Sequence, residues 1–389
     1  MSNKSKALWG LSCGHFILDM YAAVLIPLYP IIAQRLEINI AKISLVIALG
    51  HAIASILQPV FGHISDRINK RFFMFWGLIC ASVFIPLGYF APNIYVLTLC
   101  LALGMAGNAF YHPQTTTIIK NFYKENTELS HAIGIFLGLG TIGYSLGPYL
   151  STYIIEVFGD GKYVYLAIVG IICAVFLLFF VPKIQLRQKT LNSDFKGALS
   201  EILSNKFCLF LIFVTVIKSA LIMSFGTYIP FLLRKHDFEI TNIGFLMTAF
   251  FIASGISMLF SGIFEKKLKL KGMIALSYLP LLPLIILSIF FLNYSKILAS
   301  IFFVFTGFFV LLSAGVVLAY AQQTISKEHT GTISGIIQGF TLAMGSLTLI
   351  PFGMVAQRFG AEVVLILISL IAFVCAIYAL KIRINTNIQ

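Results

Sequence analysis

Twelve stretches of this chain are long and apolar enough to cross a lipid bilayer, and that count constrains every later reading. A spanning helix needs about 20 predominantly apolar residues. Such runs lie at 8–34, 42–64, 72–91, 94–118, 130–156, 163–182, 207–233, 241–264, 273–293, 296–325, 331–357 and 361–381. The Thr115–Thr117 run is expected to weaken the end of the fourth. Soluble domains are roughly 45–50% apolar and about 25% charged. This chain is 59% hydrophobic and 11% charged, more apolar surface than a water-soluble core could hide. A soluble enzyme, a nucleic-acid-binding protein and a disordered chain are therefore excluded. The run from Leu8 is too long for a cleavable signal.

The formal net charge of +13 falls in the few loops, where it reads as topology. With the N-terminus inside, nineteen of the 27 Lys and Arg lie in cytoplasmic segments, so both termini are expected in the cytoplasm. The six cysteines (Cys13, Cys80, Cys100, Cys173, Cys208 and Cys375) have no CxxC spacing and are expected to be reduced, buried small hydrophobes. The longest polar segment, Lys183 to Lys206, divides the chain. Shifting the second half by about 200 residues lays Pro30 on Pro230, Ile43 on Ile243, Gly62 on Gly262, Gly134 on Gly335 and Phe158-Gly159 on Phe359-Gly360. A nearly constant offset argues for a duplicated six-helix unit. The expected domains are an N-terminal bundle at 1–182, a cytoplasmic linker at 183–206 that can form a surface helix, and a C-terminal bundle at 207–389.

Charge inside the spans is the strongest functional signal. Of the fourteen acids only Asp19 lies deep, and of the basic residues only Lys218 does. Each is eleven residues from the inner start of its helix, a depth of about 16 Å, near the bilayer midplane. A charge there costs about 2.5–3.5 kcal/mol on insertion scales, so it should face water or a partner. Under the repeat Asp19 falls on Ser219, next to Lys218. His15 lies one turn before Asp19 on the same face. His51, Ser55 and Gln58 share a face of the second span, and Asn108 and His112 share one of the fourth. Imidazole titrates near physiological pH, so these positions trace a polar path able to carry protons. Tyr21, Tyr228 and Gln338 are further candidates for a solute pocket.

Three motifs add a family resemblance. After the second span, Gly62-His63-Ile64-Ser65-Asp66-Arg67-Ile68-Asn69-Lys70-Arg71 resembles the loop signature of the major facilitator superfamily, G-x-x-x-D-R-x-x-R/K-R/K. The second-half counterpart, Gly262 to Lys267, keeps the glycine and basic charge without the Asp-Arg pair. The fifth span, with Gly134, Gly138, Gly140 and Gly143 before Gly147-Pro148, is similar to that family's antiporter motif, although Tyr149 to Thr152 replace its trailing glycine pair. His15-x-x-x-Asp19-x-Tyr21, Gln58-Pro59-x-x-Gly62 and Asn108-Ala-Phe-Tyr-His112-Pro113 look like the fosmidomycin-resistance branch, with Gln114 where that branch usually has an acid.

The resemblance implies an all-α membrane fold of twelve helices in two pseudo-symmetric bundles. The first and seventh helices would face each other across a central cavity, bringing Asp19 towards Lys218. It implies gating by Gly62, Asp66 and Arg67 at the cytoplasmic loop and by Gly147 and Pro148 in the fifth span. The expected function is secondary active transport: proton-coupled export of a small polar or anionic organic solute or drug of the fosmidomycin type. Asp19 would take the proton with His15 and His112. Lys218, His51, Gln58, Asn108, Tyr21, Tyr228 and Gln338 would bind the solute. The alternative on the same fold is a proton-coupled importer of a nutrient, metal chelate or siderophore. A membrane-embedded enzyme would need a paired acid-base set, a metal cluster or a nucleophile motif, and no HExxH or GxSxG occurs. A receptor or scaffold would need neither the loop signature nor the deep charges. The expectation is thus a monomeric transporter of the bacterial inner membrane, with the lipid bilayer, protons and a small molecule as partners, no nucleic acid, no cofactor and no metal.

Overall fold

The computed structural model describes residues 2–65, 70–123, 126–182, 195–326, 333 and 336–382. They form helices: α1 (Asn3–Ala23), α2 (Tyr29–Arg35), α3 (Ile40–Ser65), α4 (Lys70–Tyr89), α5 (Ile94–Phe122), α6 (Asn126–Phe158), α7 (Leu166–Phe180), α8 (Phe195–Ser204), α9 (Lys206–Lys235), α10 (Ile240–Tyr278), α11 (Leu281–Phe291), α12 (Lys296–Val310) and α13 (Ala314–Gln323). A π-helical turn (Ile336–Phe340) and the helices Thr341–Leu347, Leu349–Phe359 and Ala361–Lys381 complete the chain. No strand occurs among the described residues.

Ten helical stretches among the described residues are long and apolar enough to span a bilayer. One of them, Ile240–Phe291, has 52 residues and holds two of the expected passes. They divide at Lys269, whose backbone adopts φ 52°. The eleventh expected pass falls on the pieces from Ile336 to Phe359, too short individually to count. Among the described residues, helix therefore underlies each of the twelve runs. The Thr115–Thr117 run does not end its helix, which continues to Phe122. Thr115 and Thr116 turn their hydroxyls inward, donating to the Tyr111 and His112 carbonyls one turn back (3.0 and 3.1 Å). Hydroxyls satisfied in this way cost a helix little in lipid.

Short polar side chains start the helices. Ser2, Asn93, Asn205 and Ser295 accept hydrogen bonds from the first exposed backbone N–H groups of α1, α5, α9 and α12, leaving fewer orphan donors. Pro30 and Pro230 align, yet the first pass breaks while α9 runs through Pro230. The difference is Pro27, at the start of a 3-10 turn (Ile26–Leu28), whose counterpart is Thr227. A second proline removes a further backbone donor and crowds the preceding turn. The duplication is also visible in the backbone. Glu37 and Asp237 take left-handed conformations (φ 51° and 55°) after the first and seventh passes, and Gly159 and Gly360 do so (φ 81° and 96°) after the fifth and eleventh.

The chain divides into two compact units: Met1–Lys189 with Asp237–Thr248, and Thr190–His236 with Ala249–Gln389. In the first, α1 packs against α6, α5, α4 and α7, and α4 lies along α5. The start of α10 joins this unit through α6. Pro148 lies within α6, and the neighbouring Tyr149 N–H donates to Thr248 Oγ1 (3.1 Å). In the second unit α9 packs against Ala361–Lys381 and Thr341–Leu347. The polar segment between the bundles includes α8, which buries Ala198 and Ile202. Glu201 on α8 accepts from the Ser326 backbone N–H (2.7 Å) and hydroxyl (2.9 Å), pinning α8 beyond the end of α13.

Large apolar side chains cover the outside: Phe179 is 84% exposed and Leu259 80%. That surface suits lipid rather than water. Charges at helix ends pair locally, as with Lys235 and Glu362 (2.7 Å) and Lys4 with Glu128. The cysteines are free; Cys100, Cys173, Cys208 and Cys375 are buried as expected, whereas Cys13 is exposed and Cys80 half-buried.

Candidate functional site

The first unit gathers three of the predicted residues around one carboxylate. His15 and Asp19 are one turn apart on α1, so His15 Nε2 reaches Asp19 Oδ2 at 3.0 Å. His112, carried on α5, brings its Nε2 to Asp19 Oδ1 at 3.5 Å. The two imidazoles meet edge to face with centroids 4.8 Å apart. The His15 side chain is 3% exposed, that of Asp19 19% and that of His112 26%, so the cluster is closed behind His15 and open at the other two groups.

The closed side is built by backbone. His15 Nδ1 lies 2.8 Å from the Phe136 carbonyl on α6, which can only accept, so Nδ1 carries the proton. The His15 ring stacks on that of Phe136 at 4.0 Å. Three glycines of the fifth span make this approach possible. A Cβ on Gly140 would lie 2.3 Å from His15 Cε1, one on Gly143 2.0 Å from the Phe16 carbonyl, and one on Gly147 2.5 Å from that of Met20. The glycine-rich run thus works as a close-packing face between α6 and α1, as small residues do between membrane helices. Gly134 and Gly138, by contrast, face open space.

On the α5 side, the buried Tyr111 hydroxyl donates to the Leu11 carbonyl (2.7 Å), holding α5, and with it His112, against α1. Tyr111→Phe is expected to destabilise the protein by about 1 kcal/mol, since the acceptor is left without its donor. A thermal melt in detergent measures this.

Two of the expected solute contacts have their hydroxyls taken up by backbone. Tyr21 is fully buried, donating to the Leu166 carbonyl (2.5 Å) and accepting from the Gly170 N–H (3.0 Å). Tyr228 is also fully buried and donates to the Leu349 carbonyl (3.2 Å). Both fasten helices, because a phenol buried in apolar packing must give its hydroxyl to the nearest carbonyl. His51, Gln58 and Asn108 are half-buried and are not partners of Asp19. Asn108, one turn before His112, has a buried carbonyl oxygen without a hydrogen bond among the described residues.

Lys218 is half-buried on α9 in the second unit and makes no ion pair or hydrogen bond with a described residue of that unit. Its neighbour Ser219, the counterpart of Asp19, lies 3.5 Å from the Thr341 hydroxyl. Within the first unit each oxygen of the Asp19 carboxylate faces an imidazole. Gly147 and Pro148 are buried in α6. Gly62 falls near the end of α3, its surroundings outside the described residues, as are Asp66, Arg67 and the Gln338 side chain. Sequence reasoning did not find the Phe136 carbonyl, because every residue carries one and only tertiary packing selects which meets an imidazole.

Comparison with known proteins agrees with this architecture. The profile of the Major Facilitator Superfamily matches residues 11–348. The fosmidomycin resistance protein of Escherichia coli (strain K12) is 25% identical over 366 residues, covering 92% of this chain and 88% of that protein. The quinolone resistance protein NorA of Staphylococcus aureus (strain COL) is 22% identical over 353 residues, covering 88% and 87%. In fold, the crystal structure of the nucleoside transporter NupG superposes with a TM-score of 0.78 at 15% identity, covering 98% of this chain and all of that one. The chain is therefore a multi-pass membrane protein that belongs to the Major Facilitator Superfamily, whose members are transporters rather than enzymes.

Proposed function

We propose that this transporter is a proton-coupled exporter of small polar or anionic organic solutes, of the fosmidomycin type, in the bacterial inner membrane, with both termini cytoplasmic. The observation that carries this reading is one deep carboxylate ringed by two imidazoles in one unit and one deep ammonium in the other. With Nδ1 of His15 committed to a carbonyl, a proton between His15 Nε2 and Asp19 has a defined seat. When that seat is filled, Asp19 loses its attraction for Lys218, which is then free to hold a carboxylate or phosphonate. When it empties, the carboxylate competes with the solute. Proton and solute therefore exclude one another, which is the requirement for exchange. The resemblance to two drug-resistance proteins supports the outward direction.

The test is solute flux in proteoliposomes under an imposed pH gradient, with fosmidomycin as the first probe. Solute moving against the proton flow supports export; solute moving with it identifies the importer of a nutrient or metal chelate. Lys218→Met is expected to raise the half-saturating concentration of an anionic solute at least tenfold, the loss of about 1.4 kcal/mol or more. Equilibrium binding to the purified variant measures it, and unchanged affinity removes Lys218 from the pocket.

A further inference from the structure

His15, Asp19 and His112 converge more than proton sharing requires. A proton between His15 and Asp19 needs two heavy atoms, yet a third donor, His112 Nε2, points at the other oxygen of the same carboxylate. One nitrogen from each imidazole and one carboxylate oxygen all lie within 4.8 Å of one another. We propose that these three side chains form a binding site for a divalent transition-metal ion of the zinc type.

The donor chemistry selects this class. Two imidazoles and one carboxylate suit zinc and its neighbours, whereas magnesium and calcium demand oxygen. Around a tetrahedral zinc with bonds of about 2.0–2.2 Å, ligand atoms stand roughly 3.3–3.5 Å apart. The two imidazole nitrogens stand 3.0 and 3.5 Å from different oxygens of the carboxylate, and the three candidate ligand atoms lie within 4.8 Å of one another, wider than a closed zinc shell. The remaining closure falls to His112, the most exposed of the three. Orientation is already provided. The His15 Nδ1–H donates to the Phe136 carbonyl, which leaves the Nε2 lone pair aimed at the site, the usual outer-shell arrangement of a metal-binding histidine. In neutral His15 that lone pair faces a carboxylate oxygen at 3.0 Å, a repulsive contact that a cation between them relieves. Three protein ligands leave a fourth position, on the exposed side of Asp19 and His112, for water or an anionic group of a solute.

The test uses the full chain without a histidine tag, in detergent, with zinc chloride as the probe. Affinity is read by competition with a chromophoric chelator, and the ligand shell by X-ray absorption at the zinc edge. The expected result is one zinc per chain, held by nitrogen and oxygen with two imidazoles in the shell. His112→Gln, His15→Gln and Asp19→Asn should each weaken binding at least tenfold, while His236→Ala leaves it unchanged. Failure to bind stoichiometrically, parental affinity in any of the three variants, sulfur in the shell or fewer than two imidazoles would each overturn the proposal. The absorption spectrum comes from the unaltered chain, so a variant that fails to fold does not remove the test. No transport is measured; zinc and the coupling proton would compete for the same His15 lone pair, so zinc binding is read by itself at one fixed pH and its failure leaves the proton reading intact.

Discussion

Vesicles carrying Asp19→Asn are expected to show no pH-driven solute movement beyond the leak of protein-free vesicles. Asparagine keeps the size of aspartate and can still accept a hydrogen bond from one imidazole. It can neither take a proton nor compete for Lys218, so the exclusion between proton and solute disappears. The fold should survive the change. Losing charge-assisted hydrogen bonds costs about 1.5–3 kcal/mol each, but removing a carboxylate from mid-membrane returns about 2.5–3.5 kcal/mol. A melting temperature near that of the parent, with solute binding retained and coupling lost, is the outcome that assigns the proton to Asp19. Uphill transport that persists under a pH gradient would sink that assignment.

The second large effect is expected in the glycine face of α6. A Cβ on Gly143 would stand 2.0 Å from the Phe16 carbonyl, and backbone cannot swing aside as a side chain can. Gly143→Ala must therefore push α6 from α1. Overpacking of this kind costs about 1–3 kcal/mol, outweighing the gain of about 1 kcal/mol in helix propensity. Gly143→Val should be worse and reduce the yield of folded protein. The shift also draws Phe136 from His15, so coupling should fall further than stability alone explains. Gly138→Ala, five residues earlier and facing open space, is the control: it should be neutral or stabilising by up to about 1 kcal/mol. Melting curves of the pair, run side by side, decide the matter. Equal behaviour would refute the close-packing account.

What could be read from the sequence was whatever lipid makes expensive. Apolar length, basic loops and the isolation of Asp19 and Lys218 are all costs of the same medium, so they appear without knowledge of tertiary structure. His15 and Asp19 were legible as a pair because one helical turn dictates their approach. His112 could be placed on a polar face, but that it reaches Asp19 depends on how α5 crosses α1, fixed by Tyr111 and the Leu11 carbonyl. The hydroxyl of Tyr21 suggests a ligand in the linear sequence, and only packing shows that it bonds to the α7 backbone. Nor does the linear order reveal that Asp237–Thr248 joins the first unit, since that follows from the contact between Tyr149 and Thr248.

The paired left-handed turns bear on how alike the two halves are. Glu37 and Asp237, and Gly159 and Gly360, share a backbone conformation at matched positions while most side chains around them differ. The two halves therefore reuse one connector geometry at positions where their side chains differ. Between matched connectors the deep positions differ, aspartate standing in one half where serine stands in the other with lysine beside it, a separation of opposite charges that two identical halves could not hold.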